Sequence, residues 1–257
     1  MQLAISAAER ESLEPAEVLA LLLSGAELPE EQRQLEAMFA DMSNGFGKEA
    51  QRWMQEAIRL GEKPACRGKG CSWCCYDAAL VNPLEVLILM LALERKPLEE
   101  RLFIKRQLAR WILIHTSEDA MIPMQTGAQS ENTDAFHDNV RKRTAKTVEA
   151  SMKFRTPCPF LIDGACSVYA SRPIACRGHH SLNPSPDDCK DKNEGKTSVK
   201  SLNLLPLLIH VMKHLQANGI PIAPAGDLPT MLWIALGNRD DLETAAALQY
   251  EERRMAV

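Results

Sequence analysis

The chain has 257 residues, 46% of them apolar, with 30 Lys and Arg against 34 Asp and Glu for a net charge of −4. That length buries a core without cross-links, and that composition excludes a disordered chain. The charge balance also argues against a nucleic-acid partner. Aromatics are 5% of residues while Leu, Ala, Met and Glu are plentiful, so helix is favoured over sheet.

The first elements read as helices. "EPAEVLALLLSG" sets Pro15 near a helix start and Gly25 just past its end. "PEEQRQLEAMFADMSNG" repeats the scheme, with Pro29 opening and Asn44-Gly45 as the stop. "KEAQRWMQEAIRLG" gives a further helix with Trp53, Ala57 and Leu60 on one face. In "NPLEVLILMLALER", Asn82 is an N-cap and Pro83 the first helical residue, and apolar content all round predicts a buried helix. Its most apolar run, 86–93, is too short to span a bilayer. The helix after Pro97 has Leu102, Ile104, Leu108, Trp111 and Ile112 among its apolar positions.

Residues 117–138 read as a long polar loop and 139–154 as a helix with a basic face, on which Arg141, Lys142 and Arg143 are solvated. In "TPCPFLIDGACSVYASRPIACRGHH", Asp163-Gly164 is a turn signal, and "CPFL" and "CSVY" form a short hairpin. Residues 181–196 are loop. "SVKSLNLLPLLIHVMKHLQANG" and "LPTMLWIALG" complete the chain as core helices. The expected fold class is mostly α: a helical domain enclosing an irregular cysteine-rich metal-binding region, with one short β-hairpin. The segments are 1–62, an N-terminal helical part; 63–198, the cysteine-cluster metal-binding domain; and 199–257, C-terminal helices packing on the same core.

No secretory signal is visible at the N-terminus, so the expected location is cytoplasmic, with no membrane partner. Eight cysteines in a reducing compartment point to metal or redox chemistry ahead of disulfides. Charge is unevenly spread. Residues 1–62 hold 5 basic and 12 acidic side chains, 63–200 hold 21 and 16, and 201–257 hold 4 and 6. All eight cysteines fall in the basic middle, which tolerates an anionic cluster or substrate.

Their spacing is Cys66-x4-Cys71-x2-Cys74-Cys75, then 82 residues, then Cys158-x7-Cys166-x9-Cys176-x12-Cys189. Two thiolates separated by two residues can turn onto one metal. Gly68 and Gly70 free the backbone there, and Arg67 and Lys69 offset thiolate charge. Arg177 could hydrogen-bond a cluster sulfide or a substrate anion, or simply form a surface salt bridge. Seven motif cysteines exceed the four of one zinc, and two zincs would recruit Cys189 or a histidine of His179-His180. One [4Fe–4S] cluster uses four and leaves three thiols beside it. The adjacent pair Cys74-Cys75 diverges, so either a polynuclear cluster takes both or one of them packs against the second motif. His210-x3-His214 has no intervening Glu and reads as solvated or core-lining.

The stretch 66–75 joined to "CPFLIDGACSVYASRPIACR" resembles the YkgJ-type cysteine-cluster family, a zinc- or iron-chelating domain, over roughly residues 63–180. Cys66 is offset from that family's first motif, and Cys189 lies outside the second. The resemblance implies metal binding. For a related branch, the flagellin lysine N-methylases, it implies methyl transfer to lysine with an iron–sulfur cluster and S-adenosylmethionine. The ligand candidates are Cys71, Cys74, Cys158, Cys166 and Cys176, then Cys66 and Cys75. Two readings stay open. One is an iron–sulfur protein that transfers a methyl or other group to a protein substrate, and the other is a non-catalytic zinc-binding structural or interaction module.

Overall fold

Proline at or next to the first position starts most of the helices, where its missing N–H costs nothing and its fixed φ suits the turn. In chain order the helices are α1 (Pro15–Leu23), α2 (Pro29–Arg59), α3 (Pro83–Glu94), α4 (Leu98–His115), α5 (Ile174–Arg177), α6 (Leu205–Ala217), α7 (Leu228–Asn238) and α8 (Leu242–Met255). Among the described residues four two-residue strands accompany them: β1 (Leu80–Val81), β2 (Leu161–Ile162), β3 (Ala165–Cys166) and β4 (Gly226–Asp227). The computed structural model describes residues 13–64, 72–77, 79–115, 156–183, 185, 187–189, 200–220 and 226–257, and over these the chain is mostly helical. Among them no helix is long and apolar enough to cross a membrane. The expected loop 117–138 and basic helix 139–154 lie outside the described residues.

Side-chain caps fix the later helix starts. Asn82 Oδ1 accepts the Glu85 N–H at 3.1 Å while Glu85 Oε2 accepts the Asn82 N–H at 2.9 Å, a reciprocal capping box. Asp227 and Asp241 each accept an N–H three residues on, from Thr230 and Thr244, at 3.0 Å.

α3 is buried on all sides, as its composition predicts, and divides the interior in two. Leu84, Leu87, Ile88 and Leu91 join a core with residues of α1, α2 and α6, including Leu19, Phe39, Phe46 and Leu215. Val86, Leu89, Met90 and Leu93 join a second core with Ile104 and Leu108 of α4, Phe160, and Leu232 of α7. β1 pairs antiparallel with β4, Leu80 opposite Asp227, tying the residues before α3 to those before α7. β2 and β3 form the expected hairpin, narrower than the two tetrapeptides suggest, with Leu161 opposite Cys166. Asp163 and Gly164 both take positive φ, 48° and 74°, as a two-residue Asp-Gly hairpin turn requires.

Three expectations are corrected. The helix predicted to stop at Asn44-Gly45 instead runs unbroken through both as α2. Glycine costs about 1 kcal/mol in a helix interior, but Leu35, Phe39, Met42, Phe46 and Ala50 are all buried along one stripe that breaking the helix would disrupt. Leu60 is 71% exposed and belongs to no apolar face. Residues 201–204 precede α6 rather than form it, because Ser201 bridges Ser181 and the Leu202 N–H donates to His180 O at 2.9 Å. α8 lies beyond the two C-terminal helices read from the sequence.

α8 is fastened to α4 by charge. Lys105, 4% exposed, reaches Asp241 at 2.5 Å and Glu243 at 3.0 Å, and Arg101 grips both Glu243 oxygens at 2.7 and 2.8 Å. The Arg101 hydrogen bonds, with Lys105 adding to them, pull the Glu243 carboxyl down to about 2 against the opposing effect of burial. A depressed carboxyl stabilises the fold above its unfolded value of 4.5, and that contribution is lost as pH falls from 4.5 to about 2. Acid unfolding followed by circular dichroism is expected to show a loss on the order of 1–2 kcal/mol in this window after solvent screening. Glu243→Gln is expected to flatten that slope.

Candidate metal centre

The adjacent cysteines sit on a single turn of 3₁₀-helix, Trp73–Tyr76, closed by Cys75 N–H to Ser72 O at 2.9 Å and Asp77 N–H to Cys74 O at 3.1 Å. A 3₁₀ turn rotates about 120° per residue, so consecutive side chains leave in different directions. The divergence expected for Cys74 and Cys75 therefore has a backbone cause.

The second motif is brought to this turn directly. Cys158 N–H donates to Cys75 O at 2.7 Å, joining backbones 83 positions apart in sequence. From there Leu161 N–H returns to Cys158 O at 2.9 Å, the hairpin places Cys166 on β3, and Ser167 N–H closes on Phe160 O at 2.8 Å. Phe160 is 1% exposed and anchors the loop in the second core. A 3₁₀ turn, Tyr169–Ser171, and Pro173 then lead into α5, which carries Cys176. The start of α5 is held by Glu85: Ile174 N–H donates to Glu85 Oε1 at 2.7 Å. Glu85 thus uses one oxygen to cap α3 and the other to fix the cysteine-bearing α5. Asp77 and His179 approach to 3.5 Å, a further tie between the motifs.

Electrostatics place four thiols in one neighbourhood. Burial, then the fields of Cys176, Cys166 and Cys74, pushes the Cys158 thiol far above its ordinary value. Cys176 is pushed up to about 12 by burial first and then by Cys74, Cys166 and Glu85. Cys166 is raised by burial and by Cys74, against a hydrogen bond from the Val168 backbone and the charges of Arg172 and Lys96. Buried thiols pushed up as Cys158 and Cys176 are stay protonated until a cation replaces the protons. Soft thiols of this kind suit zinc or iron–sulfur. Among the described residues no three His, Cys, Asp or Glu side chains converge closely enough to hold a single metal ion. Cys66 and Cys71 lie outside the described residues. Cys189 is half-buried. His210 and His214 are exposed on α6.

Arg177 turns its guanidinium to the chain itself: Nε–H donates to Arg172 O at 3.0 Å and Nη2 to Ala170 O. The cation that favours the thiolate form of Cys166 and Cys176 is Arg172, which lies 4.0 Å over the Tyr169 ring and has its Nε buried without a partner. Reading the sequence passed over Arg172. Its signal was the Tyr169-x2-Arg172 spacing, one turn of a 3₁₀-helix. Glu85 was passed over as well, though Asn82 and Glu85 stand at capping-box spacing.

No family model, no curated protein and no solved structure matches this chain.

Proposed function

We propose that the protein binds a metal through its two cysteine motifs, and that the metal is an iron–sulfur cluster. The observation that carries the reading is the assembly of Cys74, Cys158, Cys166 and Cys176 from two chain segments joined by the Cys158–Cys75 backbone bond, with Cys74 and Cys166 each raising the Cys158 and Cys176 thiols. Seven motif cysteines exceed the four ligands of a single tetrahedral zinc, which favours a polynuclear cluster whose corners are several ångströms apart. Cys74, Cys158, Cys166 and Cys176 would hold it, with Cys66 and Cys71 as further candidates; Arg172 and Lys96 supply positive charge beside it. The resemblance adds a methyl or other group transfer to a protein side chain with S-adenosylmethionine, for which such a cluster would supply the cofactor's binding point.

The non-catalytic zinc module remains a second reading, favoured by the shortness of β2, β3 and α5: elements of two to four residues need an external staple. Iron, zinc and acid-labile sulfide measured on anaerobically purified protein, with its visible spectrum, separate the readings. About four iron and four sulfide per chain, with broad visible absorption, is the expected result. One or two zinc without sulfide overturns the cluster in favour of the module, and no metal at all overturns both.

A further inference from the structure

We infer that a cavity between α2, α3 and residues 170–177 is a binding site for a small monocarboxylate with a short apolar body. The cavity measures about 170 Å³ and has no cysteine in its lining. Phe39, Ile88 and Leu91 give it apolar walls, and Ser43, Asn44 and Arg177 give it polar ones.

Three observations select the ligand. Arg177 is a half-buried cation to which, among the described residues, no carboxylate forms a salt bridge. Its two hydrogen bonds to Arg172 O and Ala170 O use the Nε and Nη2 edge of the guanidinium, leaving the Nη1 and Nη2 end as a planar fork of the shape that grips a carboxylate. The second guanidinium at the cavity, Arg95, is already paired with Glu36 at 2.7 Å, so Arg177 is the cavity cation that holds no ion pair among the described residues. Ser43, 3% exposed, lines the cavity with its hydroxyl buried and unpartnered, which a buried polar group avoids unless something else satisfies it. The volume is that of about six waters and lies below the range of roughly 300–1,000 Å³ for drug-sized molecules, which suits a small ligand. Phe39, Ile88 and Leu91 offer a hydrocarbon body an apolar contact that bare phosphate cannot use.

The probe is butanoate, titrated into the full-length protein by calorimetry and by ligand-observed nuclear magnetic resonance. Butyramide, inorganic phosphate and norvaline serve as comparisons. Saturable butanoate binding with a dissociation constant on the order of 1 mM or tighter is expected, and butyramide should bind at least about tenfold more weakly. Ser43→Ala should weaken butanoate severalfold, and Arg177→Met should abolish binding. Because Arg177 also pins two carbonyls, Ala40→Met is the decisive variant. Ala40 lines the cavity from an exposed position, and the longer side chain there takes up cavity space while leaving Arg177 and Ser43 in the sequence. Butanoate binding that survives Ala40→Met overturns the site. Equal affinity for butyramide, or phosphate binding without butanoate, overturns the assignment of the ligand, as does tighter binding of norvaline. No saturable binding overturns the inference altogether.

Discussion

Glu85→Ala is expected to destabilise the protein by about 3–5 kcal/mol at pH 5–6, read as a fall in the urea midpoint with unchanged slope. Glu85 is 3% exposed, and its two oxygens accept the Asn82 and Ile174 N–H groups. Truncation leaves both donors buried and unpaired, at about 1–3 kcal/mol each, and opens a cavity between α3 and α5. Burial, partly offset by those two hydrogen bonds and by Arg177, holds the Glu85 carboxyl up at about 7. A carboxyl raised in the folded state binds a proton that the unfolded chain releases, so stability falls as pH rises from 4.5 through about 7. The cost of Glu85→Ala should therefore shrink above pH 7, where the variant escapes the burden of a buried charge. Glu85→Gln keeps one acceptor but turns an amide donor toward an N–H, so an intermediate loss of about 1–3 kcal/mol without the pH slope is expected. An unchanged midpoint in the alanine variant would refute the bridging role.

Single substitutions of the four assembled cysteines are expected to have the other large effect. Cys74→Ser, Cys158→Ser, Cys166→Ser or Cys176→Ser should each lower metal affinity by more than about 100-fold and reduce the metal content of the purified protein. Cys75→Ser should retain the metal, because Cys75 contributes its backbone oxygen to Cys158 and its side chain leaves the turn in another direction from Cys74. Cys189→Ser, outside both motifs, serves as the control and should behave as wild type. Since Cys176 holds its proton up to about 12, metal uptake should release protons and weaken as pH falls. Equal loss at Cys74 and Cys75 would sink the divergent-pair account, and full metal retention in all four variants would sink the site.

What the residues disclosed and what they hid follow from the range of each interaction. Helix starts marked by Pro15, Pro29, Asn82 and Pro83, and the Asp163-Gly164 turn, are decided within four residues, and they stand where the sequence puts them. The passage of α2 through Gly45 was hidden because its cause is packing: Phe46 is held by a core that includes residues of α1, α3 and α6. Gly178 shows the same dependence, since a Cβ there would meet the Phe46 ring at 3.1 Å. α8 carried a local signal in Asp241 and the acidic Glu243, but its attachment rests on Lys105 and Arg101, more than 130 residues away. At the candidate centre, the cysteine spacing announced a thiol cluster. The hold of Glu85 on Ile174 spans 89 positions and could not be read locally.

The placement of α3 has a consequence for how the chain can be divided. Its residues alternate between two cores within a single cylinder about 10 Å across, so either core, taken alone, lacks one wall. A break on either side of residues 83–94 would strip the helix from one of its two sets of neighbours. Neither half can be excised, grafted or exchanged as a unit. A substitution that changes volume at Leu87 must be absorbed across the same backbone that positions Leu89 and Met90. Whatever the cysteine loops bind, they are mounted on a partition that both halves of the molecule share.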